Sequence, residues 1–425
     1  MNHFTETATR VSTVLLTASL IVTATVHPVF GQSSKITQTE VRLEPVGPES
    51  IAHDQFGSVV AASANGNTLA IAGITTDDGA ISEAGAIFIY DRVSNQWTQT
   101  ARLVPADAVE DETLGFDMAI SEDGNTVVAG PLIHDGLFHH EGAVYVFHRA
   151  NGTWSQEAEF ISPTPGNNQD FGSWGVAISG DTLAAGDQGN IANGFTPGVD
   201  VFTRVNGQWQ LSTTIQLPDD FDFSPATVAI NGGTLAVGNN GAAGGNGAAW
   251  VFGLSDRNWV FQAKLAPSDL TSGSEFGTTV AIDGNSVVVG APQAPGTGAF
   301  AGAVYVFGKQ NAGWIQTAKL IAADGVSGDG YGFGVDITGG TIAVGAPNRA
   351  TSAGFTAGDV YLYKLKDGKW GQFAEFPGSD VAAGGNFGLS VALRNGMLLV
   401  GAPGQHPQPN NVPYPEGEAY IYKIN

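Results

Sequence analysis

The stretch that decides the fold is Phe276-Gly-Thr-Thr-Val-Ala-Ile282, which runs through Asp283-Gly-Asn285 into Ser286-Val-Val-Val-Gly-Ala-Pro292. After a loop, the chain continues as Ala301-Gly-Ala-Val-Tyr-Val-Phe307 and then as Trp314-Ile-Gln-Thr-Ala-Lys-Leu320. Each run is short and rich in β-branched and aromatic residues, and Gly, Asn or Asp residues separate several of the runs. This pattern predicts four antiparallel strands joined by turns and loops.

The same order of landmarks recurs along the whole chain. An aromatic or leucine residue opens each unit at spacings of 52 to 58 residues, at Phe56, Leu114, Phe171, Phe223, Phe276, Tyr331 and Phe387. A glycine closes each second run, at Gly73, Gly130, Gly186, Gly238, Gly290, Gly345 and Gly401. A four-stranded sheet cannot cover both of its own faces, so seven such units predict an all-β, seven-bladed β-propeller with four antiparallel strands per blade.

The last unit lacks a fourth strand of its own. Tryptophan opens the fourth run in six units only, at Trp97, Trp154, Trp209, Trp259, Trp314 and Trp370. The N-terminal segment Gln38-Thr-Glu-Val-Arg-Leu-Glu-Pro45 resembles Thr98-Gln-Thr-Ala-Arg-Leu-Val-Pro105, and both contain Arg-Leu-x-Pro. We therefore expect the strand at residues 38–45 to complete the last blade and close the ring.

The N-terminal residues 1–31 are predicted to be a signal peptide. Arg10 precedes an apolar run at residues 11–26, and Val29-Phe30-Gly31 carries short side chains at the positions that favour cleavage before Gln32. The alternative is a retained anchor, although the run is short for a membrane span. We expect a secreted, cell-surface or periplasmic protein whose mature part, residues 32–425, is a single propeller and is monomeric.

Composition narrows the function classes. Of 425 residues, 40 are acidic and 17 basic, giving a net charge of −23, which argues against nucleic acid and anionic membranes as partners. The chain has no cysteine, and this absence excludes disulfides, thiol catalysis and cysteine-ligated zinc.

The Phe-Gly openings, together with the Gly-Ala-Pro sequence at 290–292, 345–347 and 401–403, resemble FG-GAP repeats. These repeats build the integrin alpha-subunit propeller and occur in many exported microbial proteins. Motifs such as Ile178-Ser-Gly-Asp-Thr-Leu-Ala184 are most similar to the microbial form, and the resemblance spans residues 38–425. It implies a propeller with a binding or adhesion role.

The resemblance also raises the question of calcium. The family's calcium loops lie between the first and second strands of a blade, but here those links are short turns such as Asp283-Gly-Asn285. Such turns are too short to supply six oxygen ligands. Calcium at the family's positions is therefore not expected, and the sequence establishes no cofactor.

Two groups of residues are candidate metal or ligand sites on loops. His134, Asp135, His139, His140 and Glu141 combine imidazoles and carboxylates that could bind a transition metal, and the alternative is a solvated polar loop. If His139 and His140 were extended, their rings would point in opposite directions, so at most two or three ligands would converge. Asp219, Asp220 and Asp222 could hold a cation at the rim, or be simply exposed charge.

A third candidate lies on the first strands. Six blades carry alanine where the sixth blade has Asp336, and Asp117 replaces the small residue found two places earlier in most units. Both carboxylates are expected to face the central tunnel, where they could bind water or an ion. Paired carboxylates also suggest acid–base chemistry, but no nucleophile or substrate clamp accompanies them.

The last sequence feature that indicates a function is one face of the propeller. Links between the second and third strands, and links between blades, are longer and more varied than the other turns, and both classes emerge on one face. The leading hypothesis is a non-catalytic propeller that recognises an extracellular protein or glycan through this face. The alternatives are a polysaccharide glycosidase or lyase, and a non-catalytic subunit of a larger surface assembly.

Overall fold

The computed structural model describes residues 40–46, 54–189, 197–217, 226–311, 313–405 and 416–424. Within these residues, seven antiparallel sheets of four strands each form the blades of the propeller, as predicted. The described part of the chain contains a single short helical turn, Ala242–Gly245. None of its helices is long and apolar enough to cross a membrane. The predicted signal peptide and Asp219, Asp220 and Asp222 lie outside the described residues.

The strands follow one another in the chain with the same four-strand rhythm. The N-terminal strand is β1 (Glu40–Leu43). Blade 1 contains β2 (Phe56–Ala62), β3 (Thr68–Gly73), β4 (Ala86–Val93) and β5 (Gln96–Leu103). Blade 2 contains β6 (Leu114–Ile120), β7 (Thr126–Pro131), β8 (Val144–Ala150) and β9 (Thr153–Phe160). Blade 3 contains β10 (Val176–Ser179), β11 (Thr182–Asp187), β12 (Gly198–Val205) and β13 (Gln208–Gln216).

The later blades repeat this arrangement. Blade 4 contains β14 (Thr227–Asn231), β15 (Thr234–Asn239), β16 (Ala248–Ser255) and β17 (Asn258–Leu265). Blade 5 contains β18 (Thr279–Asp283), β19 (Ser286–Ala291), β20 (Ala303–Gln310) and β21 (Gly313–Leu320). Blade 6 contains β22 (Val335–Thr338), β23 (Thr341–Ala346), β24 (Asp359–Lys366) and β25 (Lys369–Phe376), and blade 7 contains β26 (Val391–Arg394), β27 (Met397–Ala402) and β28 (Glu418–Lys423).

The N-terminal strand closes the ring, which confirms the prediction. β1 pairs antiparallel with β28, with Val41 opposite Ile421, so that blade 7 has the strand order β1-β28-β27-β26. Leu43 is fully buried in a cluster that also contains Phe56 and Leu399, from blades 1 and 7. The two ends of the chain are thereby joined in one sheet, and the first and last blades share a core.

Six of the seven landmark glycines lie at contacts between neighbouring blades, and Gly73 is the exception. A Cβ atom on Gly290, which closes the second strand of blade 5, would lie 2.0 Å from the carbonyl oxygen of Gly332, which follows the opening residue of blade 6. Gly401 has the same relation to Gly57, at 1.9 Å, across the junction of the last and first blades. Since no real side chain tolerates such a distance, the repeat needs glycine at these positions so that the strand backbones can approach.

The opening aromatic residue of a unit packs inside its own blade. The ring of Phe276 meets the ring of Tyr305 edge to face at 5.5 Å between centroids, and Phe387 meets Tyr420 at 5.3 Å. These rings are fully buried. Edge-to-face aromatic pairs each contribute about 0.5–1.5 kcal/mol beyond the area they bury, so the recurrent aromatic pairs help to stabilise each blade.

Candidate functional site

A central cavity of about 900 Å³ runs along the propeller axis and is lined by the first strands of all seven blades. Its lining includes Ile74 and Asn240, which follow second strands, and Gln55 and Glu275, which precede first strands. Both classes of long link therefore meet at the same end of the cavity. We call this end of the propeller the long-loop face.

Three aromatic side chains, Phe116, Trp174 and Phe333, line the cavity near this end, and together we call them the aromatic mouth. The rings of Phe116 and Trp174 pack edge to face with centroids 4.6 Å apart. Trp174 is 40% exposed and Phe333 is 38% exposed, although most aromatic rings of the blades are buried. Large apolar side chains at a cavity entrance are typical of a binding surface.

The aromatic mouth was not among the sites predicted from the sequence. Its signal was present in the repeat, because these aromatics stand two or three residues after the opening residue of a unit, where other units carry Ser58, Thr278 or Leu389. A single aromatic residue at this position of one unit does not by itself indicate a binding site. The arrangement around the axis brings residues from blades 2, 3 and 6 to one opening.

Asp117 lines the central cavity, as the sequence indicated, but both of its oxygens are hydrogen-bonded. Oδ2 accepts a hydrogen bond from the backbone N–H of Val176 on the neighbouring blade at 2.8 Å, and Oδ1 accepts one from Met118 at 2.9 Å. Burial raises the pKa of Asp117 to about 7, against the effect of these two donors. Asp117 thus braces the first strands of blades 2 and 3.

Asp336 acts in a similar way between blades 6 and 7. Its Oδ2 accepts hydrogen bonds from the N–H of Leu393 at 2.7 Å and from Nη1 of Arg394 at 2.6 Å. Ser390 shows that a neutral side chain can do the same, since its Oγ accepts a hydrogen bond from Val60 of blade 1 at 3.0 Å. Asp117 and Asp336 share no partner, so the contacts support a structural brace for each rather than a paired acid and base.

The predicted metal cluster separates into two groups. Asp135, His139 and His140 bring one potential ligand atom each to within 4.8 Å of the others. The expectation that His139 and His140 point in opposite directions is wrong, because His140 has a φ of 51° and the two rings lie side by side with centroids 4.0 Å apart. A left-handed residue breaks the extended alternation on which that expectation rested. Asp135 and His139 are also hydrogen-bonded to each other, at 2.8 Å.

His134 and Glu141 belong to the second group, which is buried. Nδ1 of His134 lies 2.9 Å from Glu112, which also accepts a hydrogen bond from the hydroxyl of Tyr145 at 2.8 Å. Burial lowers the pKa of His134, but the hydrogen bond and charge of Glu112 outweigh it and raise the pKa overall. Glu141 is 2% exposed and accepts a hydrogen bond from the N–H of Leu137.

Acid and base pairs of this kind recur around the ring, which the sequence analysis missed. Asp324 pairs with Arg349 and accepts a hydrogen bond from Tyr361, while Asp269 pairs with Lys319 at 2.6 Å. The sequence signal is an acidic residue four places after the last apolar residue of a fourth strand, at Asp107, Asp269, Asp324 and Asp380. Asp269, Asp324 and Asp380 each pair with a basic residue of the following blade.

The fold and the cavity define the chain as a seven-bladed β-propeller of the kind suited to binding or structural roles. The FG-GAP repeat family matches residues 97–147, 259–307, 314–363 and 370–422, so the chain contains four FG-GAP repeats. No curated protein sequence matches the chain. The crystal structure of Saccharomyces cerevisiae Sqt1 is similar at 10% sequence identity and a TM-score of 0.48, covering 90% of this chain and 98% of that one.

Each family match begins at or near a fourth-strand tryptophan and ends in the third strand of the next blade. The repeat in the sequence is therefore displaced by one strand from the blade in the structure. Because of this displacement, the N-terminal strand β1 is an additional strand, and it occupies the fourth-strand position of blade 7.

Proposed function

We propose that the protein is an exported or surface-associated binding propeller that holds a protein or glycan ligand on its long-loop face and catalyses no reaction. The observation that carries this proposal is the aromatic mouth, where Trp174 and Phe333 remain exposed at the opening of an apolar cavity. Exposing such side chains to water costs free energy that a ligand would recover by covering them.

The second-to-third strand links add further apolar surface around this opening. Leu137 and Phe355 are each 84% exposed, and Phe300 is 49% exposed. All three residues lie on links of the same class, in blades 2, 6 and 5. Variable loops on a rigid scaffold are the usual place for recognition, so these side chains are suited to extend contact beyond the mouth.

The electrostatics restrict the ligand. With a net charge of −23, the protein repels polyanions, so the favoured ligands are neutral glycans and neutral or basic protein surfaces. In this proposal the aromatic mouth supplies apolar contact and the surrounding loops supply specificity.

The experiment is a glycan array combined with pull-downs, using the mature protein with and without calcium. Trp174→Ala and Phe333→Ala are expected to weaken binding by about tenfold or more each, as for aromatic residues at the centre of an interface. The matched control is Phe261→Ala, because Phe261 is 51% exposed but lies on the outer strand β17.

Saturable binding that is lost in the mouth variants and kept in the control supports the proposal. Binding that survives both mouth variants would move the site elsewhere and contradict it. Turnover of a polysaccharide that is abolished by Asp117→Asn would instead favour an enzyme.

A further inference from the structure

Blade 3 departs from the other six at one buried position of the third strand. In the six other blades this position holds an aromatic residue that is at most 3% exposed, namely Phe88, Tyr145, Trp250, Tyr305, Tyr361 or Tyr420. In blade 3 the same register position holds Asp200, opposite Ala185 on the second strand and Thr214 on the fourth. A carboxylate therefore occupies a space where the repeat elsewhere buries a ring.

A basic side chain accompanies the aromatic residue in each of those six blades. Nζ of Lys319 lies 5.3 Å from the ring centre of Tyr305, and the guanidinium of Arg349 lies 6.0 Å from that of Tyr361. The corresponding basic residues in the other four blades are Arg102, His134, Lys264 and Arg42. Blade 3 has Thr214 at the fourth-strand position, and in the described residues neither Asp187 nor Asp200 forms an ion pair.

Blade 3 also carries a second buried carboxylate beside the first. Asp187 stands at the end of the second strand, at the place of Ala291 in blade 5, and is 6% exposed. Asp187 is opposite Gly198, two residues before Asp200, so the two carboxylates are diagonal neighbours on one face of the sheet. Asp200 is fully buried. Two adjacent buried carboxylates without a counter-charge are costly unless something neutralises them.

Among the described residues, two buried oxygens in this group have no hydrogen-bond partner, namely Oδ2 of Asp200 and Oε1 of Gln169. Gln169 is itself fully buried. Its Nε2 lies 2.7 Å from Oγ of Ser162 and 2.8 and 2.9 Å from the two carboxylate oxygens of Asp187. An amide nitrogen has two N–H groups and cannot satisfy three acceptors, whereas rotation of the amide would turn Oε1 toward the same place.

We propose that blade 3 holds a hard divalent cation such as Ca²⁺ between Asp187 and Asp200, with Gln169 and Ser162 as further oxygen ligands. The cation takes the place of the positively charged side chain that the other blades supply, and its two charges balance the two carboxylates. A set of oxygen donors alone selects Ca²⁺ or Mg²⁺ over transition metals. The site lies at the long-loop end of the strands, not in the hairpin turns between first and second strands.

Carboxylate ligands must be deprotonated to bind a cation, so cation affinity is expected to fall at acidic pH. Binding is therefore measured at about pH 8 and compared with about pH 5.5.

The experiment is calorimetry, with metal analysis after dialysis, on chelator-treated full-length protein titrated with Ca²⁺, Mg²⁺ or Mn²⁺. We expect one equivalent of Ca²⁺ per chain, with affinity reduced more than about tenfold in Asp187→Asn and in Asp200→Asn. Asp135→Asn is the matched control, since it alters the exposed Asp135, His139 and His140 group. This control is expected to bind like the unaltered protein.

A thermal melt keeps the proposal testable if either asparagine variant folds poorly. Asp200→Tyr restores the residue type of the other blades and removes a cation ligand, so Ca²⁺ should raise the Tm of the unaltered protein but not of this variant. The proposal is overturned if the unaltered protein takes up no divalent cation at millimolar concentration. It is also overturned if uptake persists in Asp200→Asn, or if it disappears in Asp135→Asn.

Discussion

The closing strand can be locked by an engineered disulfide. The chain has no cysteine, so the double substitution Val41→Cys and Ile421→Cys introduces one defined pair. Val41 and Ile421 are directly opposite in the antiparallel pairing of β1 and β28. Opposite residues in such a pair have Cα atoms about 4.5–5.5 Å apart, which lies within the range that a disulfide spans.

The expected stabilisation follows from the length of the loop that the disulfide closes. Positions 41 and 421 are about 380 residues apart, and the chain-entropy relation then gives about 6 kcal/mol. An unfolding entropy of about 2.1 cal/mol/K per residue over the propeller converts this to a Tm increase of about 7 °C. The reference is the same double variant in its reduced form, so any cost of the substitutions themselves cancels.

The assay is a melt of the oxidised and reduced protein, with denaturing gels to show the faster-moving cross-linked chain. Val41→Cys with Lys423→Cys is the control, because Lys423 is two residues away from the partner of Val41 and diagonal Cα atoms lie about 7–8 Å apart. Failure of the Val41 and Ile421 pair to cross-link, or equal cross-linking in the control, would refute the register of the closing strand.

Three further substitutions test the packing and electrostatics. Leu43→Ala should destabilise the protein by about 2–5 kcal/mol, because Leu43 is buried. Leu320→Ala, at the corresponding place in blade 5, should have an effect of the same size, since Leu320 is also buried. A much smaller effect for Leu43→Ala in urea unfolding would argue against closure of the ring by β1. Arg349→Gln should cost about 3–5 kcal/mol because it leaves Asp329, 3% exposed, without the cation that lies 2.9 Å away, whereas the exposed Arg257→Gln should have little effect. Asp117→Asn should gain stability relative to the unaltered protein as the pH rises. In the folded protein the carboxyl of Asp117, with its pKa near 7, keeps its proton above the ordinary pKa of 3.8. The contribution of this carboxyl to the stability of the fold is therefore present at low pH and is lost between about pH 4 and pH 7. Equal pH dependence of the two proteins would contradict that assignment.

The candidate sites were only partly accessible to sequence reasoning. Asp117 and Asp336 stood out because they break a repeat, and the structure places both on the cavity wall; the hydrogen bonds from Val176 and Leu393 come from neighbouring blades and have no signal in the local sequence. Asp200 broke the same repeat at the third strand. Its meaning emerged only from the register that sets Thr214 opposite it and Asp187 diagonal to it.

The sequence by itself determined the architecture: the strand periods, the turn residues and seven repeats leave a ring of four-stranded blades as the way to bury both faces of every sheet. It also determined the closure, because the Arg-Leu-x-Pro motif matched the missing fourth strand. Only the tertiary structure decided which residues meet. Phe116, Trp174 and Phe333 are more than 50 residues apart in the chain and reach one opening because the blades bend around an axis. Likewise, no basic side chain of the described residues pairs with the two carboxylates of blade 3, and this follows only from how the side chains are arranged in space.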